Sequence, residues 1–166
     1  MGRTREFYLG LGSNIDPEQN IVEALRRLRA YGEVGAVSSV WESQAVGTNG
    51  PNFLNLCVEF RAPFDASGLK AVAIGAIESA MGRVRSADKN APRNIDIDIL
   101  MEDAAPVNVD RWKHPFVVLP MAELLPNFLH PLSHVPLSEA AVAAEATIWI
   151  RRRPDIKLEN PREKQS

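Results

Sequence analysis

The run Phe7-Tyr8-Leu9-Gly10-Leu11-Gly12 is short, apolar and punctuated by glycine. It predicts a buried first strand, with glycine where another backbone or a ligand comes close. Ser13-Asn14-Ile15-Asp16-Pro17 breaks that run. Asp16 suits an N-cap, Pro17 the first helical position, and Gln19 a capping-box partner. Ile21, Leu25 and Leu28 then recur on one face, so a helix is predicted over 17–31, stopped by Gly32. Residues 34–42 predict a second strand. A third is predicted over 53–61, where Leu54, Leu56 and Val58 alternate with Asn55, Cys57 and Glu59. Between them, 43–52 is rich in Gly, Asn and Pro and reads as a loop. A second helix is predicted from Asp65 or Ser67 to Met81, ended by Gly82. A charged loop over 83–93 and a fourth strand over 94–101 follow.

The order β-α-β-β-α-β is the split βαβ arrangement of ferredoxin-like folds. The fold class expected is therefore α+β, with an antiparallel or mixed sheet, helices packed on it, and C-terminal additions. Those additions are predicted as a short helix over 121–125, another over 137–145, and a last short strand over 147–150. Residues 1–150 read as one domain. Residues 151–166 carry six basic and three acidic residues with two prolines, and are expected to be a charged, flexible tail.

Composition narrows the function. The 166 residues are 45% apolar and 24% charged, ordinary for one globular domain, with a net charge of -2. No global positive field points to nucleic acid or an anionic membrane as partner. One cysteine, Cys57, leaves no intramolecular disulfide and no cysteine-based zinc site. The first residues lack a secretory pattern, and no apolar stretch approaches the ~20 residues that span a bilayer. A cytoplasmic location and a monomer are the simplest expectations, with a dimer left open.

The chemistry concentrates in Pro92-Arg93-Asn94-Ile95-Asp96-Ile97-Asp98-Ile99-Leu100. On a strand Ile95, Ile97 and Ile99 face one side, and Asp96 and Asp98 the other. The aspartates then stand roughly 7 Å apart, two rises of ~3.3 Å. Neighbouring like charges repel, and a divalent cation relieves them. Mg²⁺ favours one or two carboxylates completed by water and phosphate oxygens. The plainer reading is a solvated polar face. Arg83, Arg85 and Arg93 beside the pair tip the balance, because guanidinium forks grip phosphate oxygens. Glu78, a helical turn before Gly82, can reach the same area. The third glycine of a dinucleotide fingerprint is missing, and so is the Gly-Lys of a P-loop.

Gly12-Ser13-Asn14, Phe53-Leu54-Asn55, Gly82-Arg83-Val84-Arg85 and Pro92-Arg93-Asn94-Ile95-Asp96-Ile97-Asp98 occur in the order and spacing of one family. Over about residues 7–131 the chain resembles the 6-hydroxymethyl-7,8-dihydropterin pyrophosphokinases of folate biosynthesis. The resemblance implies an enzyme that transfers pyrophosphate from ATP to a pterin hydroxymethyl and releases AMP. It implies ATP as co-substrate and two Mg²⁺ ions, held by Asp96 and Asp98. Arg83 and Arg93 would act on the transferred phosphates. Glu78, Arg85, Ile99 and His114 would serve ATP. Ser43, Ala45, Val46, Phe53, Asn55 and Phe116 would serve the pterin. ATP and the pterin would be the partners. Phe53 alternates onto the face of Asn55 rather than that of Leu54 and Leu56, as a ring stacked on a heterocycle requires.

The chain departs from the family pattern after His114. Only Pro115 separates His114 from Phe116, where the family places several residues including an arginine. Asn90 also replaces an aromatic before Pro92-Arg93. A second reading follows, a diverged pterin- or nucleotide-binding protein without transfer activity. Arg111 and the arginines at 151–153 are the candidates to replace the lost charge.

Overall fold

The computed structural model describes residues 3–45, 47, 49–82 and 94–158. Strand β1 (Arg5–Ser13) lies inside an antiparallel sheet, flanked by β4 (Phe53–Ala62) and β5 (Asp96–Glu102). The sheet continues from β5 to β6 (Ala105–Pro106). On the other side it continues from β4 to β3 (Trp41–Ser43), and from there to β7 (Ile150–Arg152). Strand β2 (Glu33–Val37) also pairs with β4. The molecule is a mixed α+β structure, and every described strand pair is antiparallel.

Helix α1 (Pro17–Leu28) and a helical stretch of α2 (Ala66–Leu69), a π turn (Lys70–Ile74) and α3 (Gly75–Ala80) cover one face. Ile21, Leu25 and Leu28 of α1, with Ile74 and Ile77, pack there on Leu9, Leu11, Leu54, Leu56, Ile97 and Ile99. The other face carries α4 (Pro115–Leu124), on which α5 (Leu137–Glu145) rests. Val117, Val118 and Met121 of α4 meet Tyr8, Cys57, Leu100 and Met101. Burial pins the β5 register. A slip of one residue would expose Ile95, Ile97 and Ile99 and bury both aspartates, forfeiting about 1.5–3 kcal/mol per isoleucine.

Several expectations need correction. Asp16 precedes α1, but at φ 40° its side chain makes no capping bond. Asn20 Nδ2 bonds Ile15 O instead, at 2.6 Å. The helix closes at Leu28 rather than residue 31, and Gly32 lies so near β4 that a Cβ would sit 2.3 Å from Arg61 O. The single strand predicted over 34–42 is two, because residues 38–40 leave the ladder. There Ser38 Oγ accepts from Cys57 N at 2.9 Å. The helix predicted over 121–125 is α4, which begins six residues earlier. The last strand lies at Ile150–Arg152, so a boundary at residue 150 cuts it. Beyond it Arg153 is ion-paired to Glu42, and Ile156 and Leu158 pack on the core. Through residue 158 the charged stretch is therefore tied to the sheet.

Candidate functional site

Register alone assembles a polar patch at one end of the α4 face. Asp96 pairs with Gly12, Gly12 with Asn55, and Asn55 with Trp41. Directly opposed residues share a face, so Asp96 and Asn55 point the same way across Gly12. They are roughly 10 Å apart, two inter-strand spacings of ~4.8 Å. Asp98 pairs with Gly10, one rung further along the same face, and Ser43 pairs with Phe53 at the sheet's end. On the same face α4 packs on Tyr8, Cys57, Leu100 and Met101, and its Leu119 reaches Trp41.

Gly12 makes the patch possible. A Cβ there would sit 3.2 Å from Asn55 Oδ1 and 3.8 Å from Phe53 Cδ1. The glycine therefore leaves room for both side chains over β1. Asn55 is buried, and its Nδ2 donates to Ser43 Oγ at 2.8 Å and to Trp41 O at 3.4 Å. With the amide donors engaged beneath, the amide oxygen faces Gly12. Phe53 is half-buried, and Ser43 and Ala45 are buried beside it.

The carboxylate end has its own framework. Ser13 Oγ donates to Ile15 O and Asn94 O, and Asn94 Nδ2 donates to Met81 O at 2.7 Å. These bonds join the end of β1 to Asn94 and Asn94 to Met81, on the two sides of 83–93. Gly82 takes φ 83°, a turn that favours glycine. Arg83, Arg85 and Arg93 lie outside the described residues, as does Val46.

A 3₁₀ turn (Val109–Lys113) leads into α4. Trp112 is its anchor: fully buried, it donates Nε1–H to Leu100 O at 3.3 Å. His130 accepts from Leu132 N and Ser133 N at Nδ1, leaving Nε2 as the donor to Trp112 O at 2.6 Å. This anchoring sends Arg111 toward β5, where its Nη2 lies 3.5 Å from Asp98 Oδ1. His114 opens α4, its carbonyl accepting from Val117 N and Val118 N. Its ring stacks on Phe116 with centroids 4.7 Å apart and planes 10° from parallel. Burial, then the Lys113 and Arg111 charges, hold the His114 pKa below its ordinary value. At the far end of α4, Glu123 accepts from Ser39 N, Ser39 Oγ and Trp41 Nε1 at 2.6–3.0 Å. The helix is thus fixed to β3.

Asp96, Asp98, Ser43, Phe53 and Asn55 therefore come together on one face, with Arg111 beside Asp98. Ile99 does not join them. Its side chain is in the α1-side core, and its carbonyl accepts from Asn108 Nδ2 at 2.9 Å. Glu78 is buried at the open edge of β5, where Oε2 accepts from Ile97 N at 3.4 Å. Phe116 lies on His114 and on the α4 core rather than apart from His114. Cys57 is buried, and burial, Glu123 and Asp98 push its thiol pKa up, which suits packing and not nucleophilic attack. Arg111 and Trp112 carry weight that the motif spacing does not reveal. A tryptophan inside Asp110-Arg111-Trp112-Lys113 is the local signal of an anchor.

Among the described residues no three or more His, Cys, Asp or Glu gather to hold a metal. The donor set is a carboxylate pair, with Arg111 beside Asp98. That set suits Mg²⁺, whose remaining positions go to water and phosphate, better than a closed protein cage. Also among the described residues, no helix is long and apolar enough to cross a membrane.

The model of the 7,8-dihydro-6-hydroxymethylpterin-pyrophosphokinase (HPPK) family matches residues 8–126. The 2-amino-4-hydroxy-6-hydroxymethyldihydropteridine pyrophosphokinase of Aquifex aeolicus is 35% identical over 142 residues, spanning 80% of this chain and 88% of that one. The folate synthesis bifunctional protein of Arabidopsis thaliana is 32% identical over 131 residues, 72% of this chain but 27% of that protein. In crystal-structure form, wild-type Plasmodium falciparum HPPK-DHPS with SDX-DHP superposes with a TM-score of 0.68 at 12% identity. That match covers 88% of this chain and 45% of that one, and it bears on the fold alone.

Proposed function

Because the chain belongs to the 7,8-dihydro-6-hydroxymethylpterin-pyrophosphokinase family, we propose that ATP and the pterin meet at the polar row of the α4 face. The activity is that of a 2-amino-4-hydroxy-6-hydroxymethyldihydropteridine pyrophosphokinase of folate biosynthesis. A pyrophosphoryl group passes from ATP to the pterin hydroxymethyl oxygen, and AMP leaves. The observation that carries the site assignment is the single row Asp96–Gly12–Asn55, flanked by Phe53 and Asp98.

On this reading the pterin lies at the β4 end. Phe53 offers a ring face, Asn55 and Ser43 offer polar contacts, and the backbone near Ala45 and Val46 reads the heterocycle edge. Phe116 adds apolar surface from α4. The hydroxymethyl then points along the row toward Asp96 and Asp98. These carboxylates hold Mg²⁺, two ions in the family pattern, which when bound neutralises phosphate charge and aligns the transfer. His114 receives the ATP phosphates at the start of α4, where the helix dipole favours negative charge. Arg83 and Arg93 stabilise charge on the group in flight. Arg85, Glu78 and the Ile99 segment serve the nucleotide, Glu78 and Ile99 by shaping the β5 edge rather than by reaching the carboxylate face. The reaction needs alignment and charge neutralisation, so no protein nucleophile is required.

The ferredoxin-like reading of the core has support in the sheet order, in which β1 separates β4 from β5 and both β2 and β3 follow β4. A cytoplasmic monomer, without nucleic-acid or membrane partners, completes the proposal. Its domain body runs through residue 158, past the expected boundary at residue 150.

The shortened segment after His114 favours no separate binding-only reading. Pro115 starts α4 directly, and Arg111 supplies a cation beside Asp98. The test is AMP release from ATP. It should require both Mg²⁺ and 6-hydroxymethyl-7,8-dihydropterin, and pterin binding without AMP would overturn transfer.

A further inference from the structure

We propose that Arg153 is a positioning residue for the pterin end of the site, acting through Glu42 and Asn52 on the stem of the β3–β4 connection. The inference rests on the reading of Phe53, Asn55 and Ser43 as pterin contacts.

Arg153 follows β7 directly, and its backbone N–H donates to Val40 O at 2.8 Å. This places its side chain against β3. The guanidinium is largely covered, with 20% of the side chain exposed. Nη1 reaches Glu42 Oε1 at 2.7 Å. Nε and Nη2 form a two-point pair with Asp155 at 2.9 and 2.8 Å, and Nη2 also approaches Glu18 of α1 at 3.3 Å. One planar fork thus joins β3, α1 and the chain after β7, a geometry that a lysine ammonium cannot reproduce.

Glu42 passes the constraint on. Its side chain is 14% exposed, and its second oxygen accepts from Asn52 Nδ2 at 2.9 Å. Arg151 Nη2 adds a weaker contact at 3.3 Å. The Glu42 carboxyl pKa is lowered, by the Asn52 hydrogen bond first and then by Arg153 and Arg151. Glu42 precedes Ser43, and Asn52 precedes Phe53. Ser43 and Phe53 are the last paired rung of β3 and β4. The line Arg153–Glu42–Asn52 therefore ties the two sides of the stem together behind the rung whose front bears the Phe53 ring and the Ser43 hydroxyl. An isolated exposed ion pair would be worth little. This one is multidentate and largely covered, and it sets the spacing of two contacts whose misplacement by 1 Å would be costly.

The test is calorimetric titration of the full chain with hydroxymethylpterin in the presence of a non-hydrolysable ATP analogue, and with the analogue alone. Arg153→Ala should weaken pterin binding roughly five-fold or more and leave the analogue's Kd within about twofold. Glu42→Gln should act in the same direction. The double variant should be no worse than the stronger single one, because both act along one path. Arg153→Lys should recover part of the loss through Glu42. An unchanged pterin Kd in Arg153→Ala would overturn the proposal. So would equal losses for pterin and analogue that follow the fall in thermal midpoint. Should Arg153→Ala fail to fold, Glu42→Gln decides alone by the same two affinities. Failure of the wild-type chain itself to bind pterin would overturn the site reading, and the clamp with it.

Discussion

Arg111 Nη2 stands 3.5 Å from Asp98 Oδ1, so a protein cation already attends one of the two carboxylates on the β5 face. Both partners are partly exposed, 40% and 27% of their side chains, which limits what the pair adds to stability. Its importance lies in where it puts charge. On the proposed metal assignment, Arg111 would hold Asp98 before a metal arrives and turn to phosphate afterwards. Arg111→Ala should therefore tighten Mg²⁺ binding in the absence of nucleotide, by at most about fivefold for a pair worth 0–1 kcal/mol. It should also weaken ATP binding. Mg²⁺ titration without nucleotide, followed by ATP titration, checks both signs, and a loss of Mg²⁺ affinity would contradict the first.

Asp98→Ala should lower AMP release by about 100-fold or more, the scale of losing a principal electrostatic contact in the transition state. The fold should survive, because the Asp98 side chain is partly exposed and points away from the isoleucine core. Thermal midpoint and turnover measured on the same preparation separate the two effects. Unchanged turnover would refute the metal assignment.

Gly12→Ala should be worse than a surface methyl has any right to be. The new Cβ would press on Asn55 Oδ1 at 3.2 Å, and the bond from Asn55 Nδ2 to Ser43 Oγ gives the amide little room to retreat. Overpacking of this kind costs about 1–3 kcal/mol. Pterin binding should fall with it and ATP binding should change less, which paired titrations would read directly.

Phe53→Ala should weaken pterin binding about tenfold or more, from lost stacking and apolar contact, while ATP binding stays near the wild-type value. Equal losses for both ligands would make Phe53 a packing residue. Its half-buried position at the end of β4 argues against that.

Alternation made much of this legible in advance. Ile95, Ile97 and Ile99 against Asp96 and Asp98 fixes the core side of β5 and the face its aspartates take, and Leu54 and Leu56 against Phe53 and Asn55 does the same for β4. The first six residues of α4 escaped for a physical reason. Residues of α4 enter two apolar clusters, Val117, Val118 and Met121 in one and Leu119 in the other. A helix buried nearly all round shows no amphipathic period. Pro115 and Pro120 disguise it further, the first at the helix start and the second within it. Arg111 was visible only as one of several spare arginines. Its approach to Asp98 depends on Trp112, whose anchoring bonds to Leu100 and His130 are tertiary. The clamp by Arg153 likewise joins residues more than a hundred positions apart.

His114 offers a pH signature. Burial, with the Lys113 and Arg111 charges, lowers its folded pKa below the ordinary value near 6.5. Below about pH 6.5 the unfolded chain therefore binds more protons than the folded one at this site. The resulting stability is present above that pH and is lost as pH falls through the folded pKa. His114→Asn should flatten the thermal midpoint between pH 7 and pH 5 relative to wild type. Nucleotide binding should act in the opposite sense. Triphosphate oxygens beside the ring favour the charged imidazolium and raise its pKa, so ATP binding near pH 6.5 should take up protons. Calorimetry in two buffers of different ionisation enthalpy measures that uptake. Wild type should show it and His114→Asn should not. Equal uptake in both would place the phosphates away from the start of α4.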